Sequence, residues 1–139
     1  MEVSNQPKLS FHGVDFLHVH FDALTPRAND MQIDIHCEPK IYYPAESAND
    51  FKIIMDLELK SERCFELSLR AVGNFELEKE IDDTLKKTFI NSNAPAIMFP
   101  YVRSFITTLS SNLGNVIGPL LIPTQFFQGE LDEFELDEK

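Results

Sequence analysis

Met31-Gln32-Ile33-Asp34-Ile35-His36-Cys37-Glu38 alternates apolar and polar residues without a break. Successive side chains of a strand point to opposite faces. Met31, Ile33, Ile35 and Cys37 therefore share one face, and Gln32, Asp34, His36 and Glu38 the other. That is the mark of a half-buried antiparallel strand. The pattern recurs downstream. Phe51, Ile53, Met55, Leu57 and Leu59 alternate with Lys52, Asp56, Glu58 and Lys60, and Phe65, Leu67, Leu69 and Ala71 with Glu66, Ser68 and Arg70. An earlier strand is expected from about Leu9 to Ala23, with Leu17, Val19 and Phe21 on the core face. Val14 and Phe16 break its parity, which predicts a β-bulge near Gly13–Phe16. Turn-like breaks fall at Thr25 to Asp30, at Pro44 to Asp50 and at Ser61-Glu62-Arg63. These short links predict consecutive hairpins, a four-stranded meander.

The second half changes period. Ile81, Leu85 and Phe89 are four apart, which predicts one or two helical turns. Pro95 and Pro100 interrupt, and a longer helix is expected after Pro100, with proline near its first turn. Val102, Phe105, Ile106, Leu109 and Leu113 form its apolar stripe, and Gly114 suits its C-terminal cap. Phe127, Leu131 and Phe134 suggest a short C-terminal helix. The expected class is α+β: a four-stranded antiparallel meander with a long helix and a short C-terminal helix on one face.

At 139 residues the chain suits one domain, residues 1–139, with 130–139 as an acidic tail. A net charge of −11 argues against a nucleic-acid partner, which would need a basic face. No apolar run reaches the ~18 residues of a membrane span, so no direct membrane insertion is expected. The polar N-terminus lacks a signal-peptide pattern, and two cysteines make no disulfide framework, so the expected compartment is the cytoplasm. The charges are unevenly spread. Thr88 to Gly129 holds one, Arg103, while Glu130 to Lys139 holds six acids and one base. So much uncharged chain is either internal or an interface.

Catalytic and cofactor motifs are absent, and no enzyme activity is expected. Cys37, on the core parity, reads as a small buried apolar residue. His18, His20 and His36 share the polar parity of neighbouring strands. A hairpin centred on Ala28 would set His20 opposite His36 and Asp22 opposite Asp34, a possible Zn²⁺ or small-ligand site. The alternative is a polar sheet face that happens to contain histidines. The apolar loop Val116-Ile117-Gly118-Pro119-Leu120-Leu121-Ile122-Pro123 either covers the core or forms a binding groove.

Asn93-Ala94-Pro95-Ala96-Ile97-Met98-Phe99-Pro100-Tyr101-Val102-Arg103, then Ile106-Thr107 and Leu120 to Phe126, resembles the bacterial export chaperone family SecB. Pro95, Phe99, Pro100, Tyr101 and Arg103 match that family's helix-opening segment in order and spacing, and the match covers about 35 residues. The resemblance implies a non-enzymatic, ATP-independent holdase that binds unfolded preproteins in hydrophobic grooves. It also implies a tetramer built as a dimer of dimers, and a SecA-type translocation motor as partner. Of the acids through which the family docks SecA, Asp22 is kept, while Ser68 and His18 occupy two other positions. A relative serving a narrower client, such as a toxin–antitoxin pair, is the alternative.

On this reading Met31, Ile33, Ile35 and Cys37 form the groove floor. Val116, Ile117, Leu120, Leu121, Phe126 and Phe127 form its wall. Asp22, Glu58 and Glu66 on the charged sheet face would dock a basic partner. Val102, Phe105, Ile106, Leu109 and Leu113 would supply the oligomer contact. A purely structural oligomerisation module is the remaining rival.

Overall fold

In the computed structural model of the chain, residues 9–25, 32–44, 49–77, 81–114, 118–122 and 131–133 are described. The alternating segments are strands: β1 (Leu9–Ala23), β2 (Asp34–Tyr42), β3 (Asp50–Ser61) and β4 (Phe65–Leu77). β2, β3 and β4 form the expected meander, with Cys37 opposite Leu57 and Leu57 opposite Leu69. β1 departs from expectation. It pairs antiparallel with β4, not β2, so the spatial order is β1-β4-β3-β2 with a short fifth strand beyond β2.

The chain leaving β1 starts out against the end of the β3–β4 hairpin. It is held there by Leu24 and Thr25, whose backbone N–H groups both donate to the Cys64 carbonyl, and by the Thr25 hydroxyl donating to the Arg63 carbonyl. Three strand spacings are roughly 14 Å, which the ten residues 24–33 span easily. A tight hairpin was not required, and β1 gains a partner, β4, that would otherwise lie at the sheet edge.

The expected bulge is present, and there is a second. The β1–β4 register shifts between Phe11 and Val14 and again between Leu17 and His20. Gly13 (φ +105°) and His18 (φ +53°) adopt positive φ at these two points. Asn74 ties down the first bulge by donating from Nδ2 to the Gly13 carbonyl, at 3.3 Å. Between the bulges the parity is inverted. Val14 and Phe16 pack on the core and Leu17 does not; Leu17 and Val19, expected inside, are 44% and 42% exposed. Past the second bulge Phe21 packs on the core again.

The first helical turns lie where they were expected, and the long helix begins earlier than expected. Asp82 caps α1 (Asp83–Thr88) by accepting from the Leu85 N–H at 2.8 Å. One wide turn follows over Phe89–Asn93, closed by the Ala94 N–H on the Phe89 carbonyl, and α2 (Ala94–Ser111) continues from it. Pro95 is the first-turn proline. Pro100 lies inside α2, on its exposed side, where a carbonyl left without an N–H can face water. Gly114, at φ +84°, turns the chain just past the Asn112 cap.

The inner odd-numbered residues of β3 and β4, with Met98, Phe99, Val102 and Ile106 of α2, make the core. Gly73 allows α2 to come close: a Cβ there would lie 2.7 Å from Met98 Sδ. Where a C-terminal helix was expected, Asp132–Glu133 is a strand, β5, running parallel to β2; Phe127 and Phe134 lie outside the described residues.

Candidate functional site

α2 lies over β1 and β4. Tyr101 reaches Phe11, with ring centroids 5.1 Å apart, and Phe105 reaches Phe16. The β2 side of the inner face is covered less completely. Ile33, Ile35 and Cys37 are only half-buried, whereas every inner residue of β3 from Phe51 to Leu59 is fully buried. Ile35 and Cys37 share the inner face of β2, as the alternation predicted, and Ile33 stands just before the strand.

The loop 118–122 packs against α2 through its backbone. Arg103 Nε donates to the Ile122 carbonyl (2.9 Å) and the Thr107 hydroxyl to the Leu120 carbonyl (2.8 Å). The Leu120 N–H donates to Ser110 Oγ at 2.8 Å, and that hydroxyl in turn donates to the Ile106 carbonyl at 2.8 Å. This gives the lone charge of the 88–129 stretch, Arg103, a structural task. The clamp sends Leu120 and Ile122 into the core and leaves Leu121 81% exposed between them. Leu120, expected in the groove wall, is thus a core residue, and Leu121 is the one available for contact. Met31, Val116, Ile117, Phe126 and Phe127 lie outside the described residues.

Cys37 is a poor nucleophile. Burial first, then the nearby carboxylates of Asp56 and Glu38, push its thiol up to about 12. All three causes oppose forming a thiolate.

The histidines do not converge. His20 stands opposite Ser68 and His36 opposite Glu58, on strands separated by β4 and β3 and roughly 14 Å apart. The hairpin that would have joined them does not form. Among the described residues no cluster of three or more His, Cys, Asp or Glu could hold a metal ion. His20 and His36 each have a carboxylate neighbour instead: His20 Nε2 is 2.9 Å from Asp22 Oδ2, and His36 Nε2 is 4.0 Å from Glu38 Oε2.

The expected docking acids do come together. Asp22 stands opposite Glu66, and Glu58 lies diagonally across on β3. Like charges directly opposite are destabilising. Lys60, opposite Glu66 and 3.9 Å from Glu58, offsets part of this.

The same outer face also holds something the alternation did not indicate. Ile54 and Val72 are buried on it, and with Leu17, Tyr42, Lys52 and Arg70 they line a hollow of about 500 Å³. The available signal was two adjacent apolar pairs, Ile53-Ile54 and Ala71-Val72, which place apolar side chains on both faces at once.

The helix stripe also needs correction. Val102 and Ile106 are completely buried within the chain, so a second subunit cannot use them. Phe105, Leu109 and Leu113 are half-buried. The exposed large apolar side chains of α2 are Ile97 and Tyr101.

Comparison with known proteins agrees with this architecture. No family model matches the chain. An uncharacterized protein of Methanocaldococcus jannaschii is 26% identical over 130 residues, covering 88% of this chain and 82% of its own. A SecB-like chaperone of Mycobacterium tuberculosis, solved in complex with a ChAD peptide from the HigA1 antitoxin, superposes with a TM-score of 0.66 at 13% identity. That alignment covers 85% of this chain and 88% of the mycobacterial one. The fold is that of a SecB-like chaperone.

Proposed function

We propose that the protein is an ATP-independent holdase that captures extended polypeptide by apolar contact, without catalysis. The observation that carries this reading is the half-open row of Ile35 and Cys37 on β2 with Ile33 just before it, in a fold that also presents Leu121 to solvent. Burial of apolar area contributes about 25 cal/mol per Å². Such contacts are not directional, so they tolerate many client sequences. The SecB-like fold supports the reading. The antitoxin peptide held by the mycobacterial chaperone favours a narrow client, such as an antitoxin, over general preprotein export.

The rest of the proposal follows the same line. Residues 1–139 act as one cytoplasmic domain. The chains assemble as a tetramer, a dimer of dimers, with Ile97, Tyr101 and the half-buried Phe105, Leu109 and Leu113 at a subunit contact. Asp22, Glu58 and Glu66 serve a basic partner, of which a SecA-type motor is one example. Steep weakening of that contact by salt is its signature, because exposed charges are screened within ~8–10 Å.

The test is aggregation suppression with a slow-folding preprotein and with an antitoxin, alongside oligomer mass by light scattering. Suppression of either substrate without ATP, with a mass near four chains, supports the reading. A stable monomer that suppresses neither overturns it.

A further inference from the structure

Among the described residues the outer edge of β2 is paired at two positions. Asp132 and Glu133 of β5 run parallel to it, beside Lys40 and Ile41. Among the described residues no strand lies along the rest of that edge, from Asp34 to Pro39. A bare strand edge is a template for another extended chain. Natural edges are blunted by proline and lysine. Here Lys40 lies beside β5 and Pro39 next to it, and neither residue type falls between Asp34 and Glu38.

The contact with β5 is slight. The strand is two residues long, both side chains are exposed, and parallel pairing is the less stable kind. Its anchor lies one residue earlier. Leu131 packs half-buried on the core, and its N–H donates to Asn91 Oδ1 at 2.7 Å. Asn91 belongs to the wide helical turn and is held there by its own Nδ2 donating to the Lys87 carbonyl at 3.0 Å.

We propose that the β2 edge is a strand-addition site for an extended polypeptide, and that Leu131 to Glu133 is the chain's own occupant of it, a plug latched by Asn91 that a client displaces. This rests on the reading of the protein as a polypeptide-binding chaperone. Main-chain hydrogen bonds to the edge bind any extended sequence. Ile35 and Cys37 on the inner face of that strand, with Ile33 just before it, offer apolar contact to alternate client residues. A plug filling the edge most of the time lowers the apparent affinity by the fraction of molecules left open. It thereby keeps the edge from pairing with unrelated chains.

The experiment compares the full chain, a chain ending at Glu130, and the full-length Asn91→Ala variant. The probe is fluorescent reduced and carboxymethylated α-lactalbumin, a permanently unfolded polypeptide. Truncation is expected to tighten binding at least about threefold, and Asn91→Ala to shift it less in the same direction. Hydrogen exchange across residues 39–42 should speed up on truncation, and the probe should slow exchange across residues 34–41. Asn91→Ala keeps every strand residue, so it reports even where the truncated chain folds poorly. Equal affinity of all three proteins for the probe, or binding without protection of β2 amides, overturns the plug and leaves the chaperone reading standing. No binding by any of the three overturns both.

Discussion

Phe16 lies nearly parallel to Phe105, with ring centroids 4.1 Å apart and planes 14° from parallel. Gly13 is the reason the two can meet, since the bulge there moves Phe16 to the core side of β1. Nothing lies within 4 Å of a Cβ built on Gly13, so a substitution meets no clash and its cost is conformational alone. Gly13→Ala should destabilise by about 1–2 kcal/mol in urea unfolding. His18→Gly, at the second bulge, should be neutral or stabilising by up to ~1 kcal/mol. Equal effects of the same sign at the two sites would contradict this account of β1.

Gly73 is a different case. A Cβ there would lie 2.7 Å from Met98 Sδ and 2.9 Å from Phe75 Cε2. Met98 is fully buried and has little room to retreat. Gly73→Ala should cost about 1–3 kcal/mol through overpacking. Adding Met98→Ala should cost less in that background than in the parent chain, a coupling measured by a double-mutant cycle.

Ser110 and Leu121 separate stability from binding. Ser110→Ala leaves the Leu120 N–H buried without its acceptor, at a cost of about 1–3 kcal/mol, and should speed exchange of that amide. Leu121→Ser touches only an exposed side chain. It should leave the melting temperature unchanged while weakening client binding roughly threefold to tenfold, given that ~1.4 kcal/mol is a factor of ten. A drop in melting temperature without a loss of binding would make Leu121 part of a subunit contact instead.

Cys37 sets a stability trend at high pH. Below its ordinary value of 9.0 both folded and unfolded chains keep the thiol proton, and its full contribution is present. As pH rises from 9.0 towards about 12, the unfolded chain sheds the proton and the folded chain holds it. Stability then falls by at most about 1.4 kcal/mol per pH unit from this group. Cys37→Ala should flatten the stability profile above pH 9.0 relative to the parent chain. Parallel profiles would show that the thiol titrates alike in both states.

The strands were legible because β2, β3 and β4 each carry charge on one face and apolar side chains on the other. Their order was not. A ten-residue link between Ala23 and Asp34 suits a hairpin or a crossover equally, and what decides is the pairing of Leu24 and Thr25 with the Cys64 carbonyl. The start of α2 was misplaced because Pro100 reads as a boundary, although its place on the exposed side lets the helix run through it. In the apolar loop the sequence does not distinguish Leu120 from Leu121. Three side chains of α2, Arg103, Thr107 and Ser110, fix which one turns inward. That Ile33, Ile35 and Cys37 share one side of the chain was readable from parity, and the structure leaves all three half-buried. Tyr101, Ile97 and the Ile54–Val72 hollow were not readable, because each requires knowing which surfaces the helix leaves bare.

The crossover of β1 also affects how the chain is made. β1 is synthesised first, yet Ala23 waits for Phe65 and Leu9 for Leu77, partners 42 and 68 positions later. At ~5–20 residues per second that is a delay of roughly 2–14 s. For that time Phe11, Phe16, Leu17 and Phe21 emerge on a strand with nothing to pair against. During its own synthesis the protein is therefore an extended apolar segment in need of a partner, the same kind of substrate that its finished fold is proposed to hold.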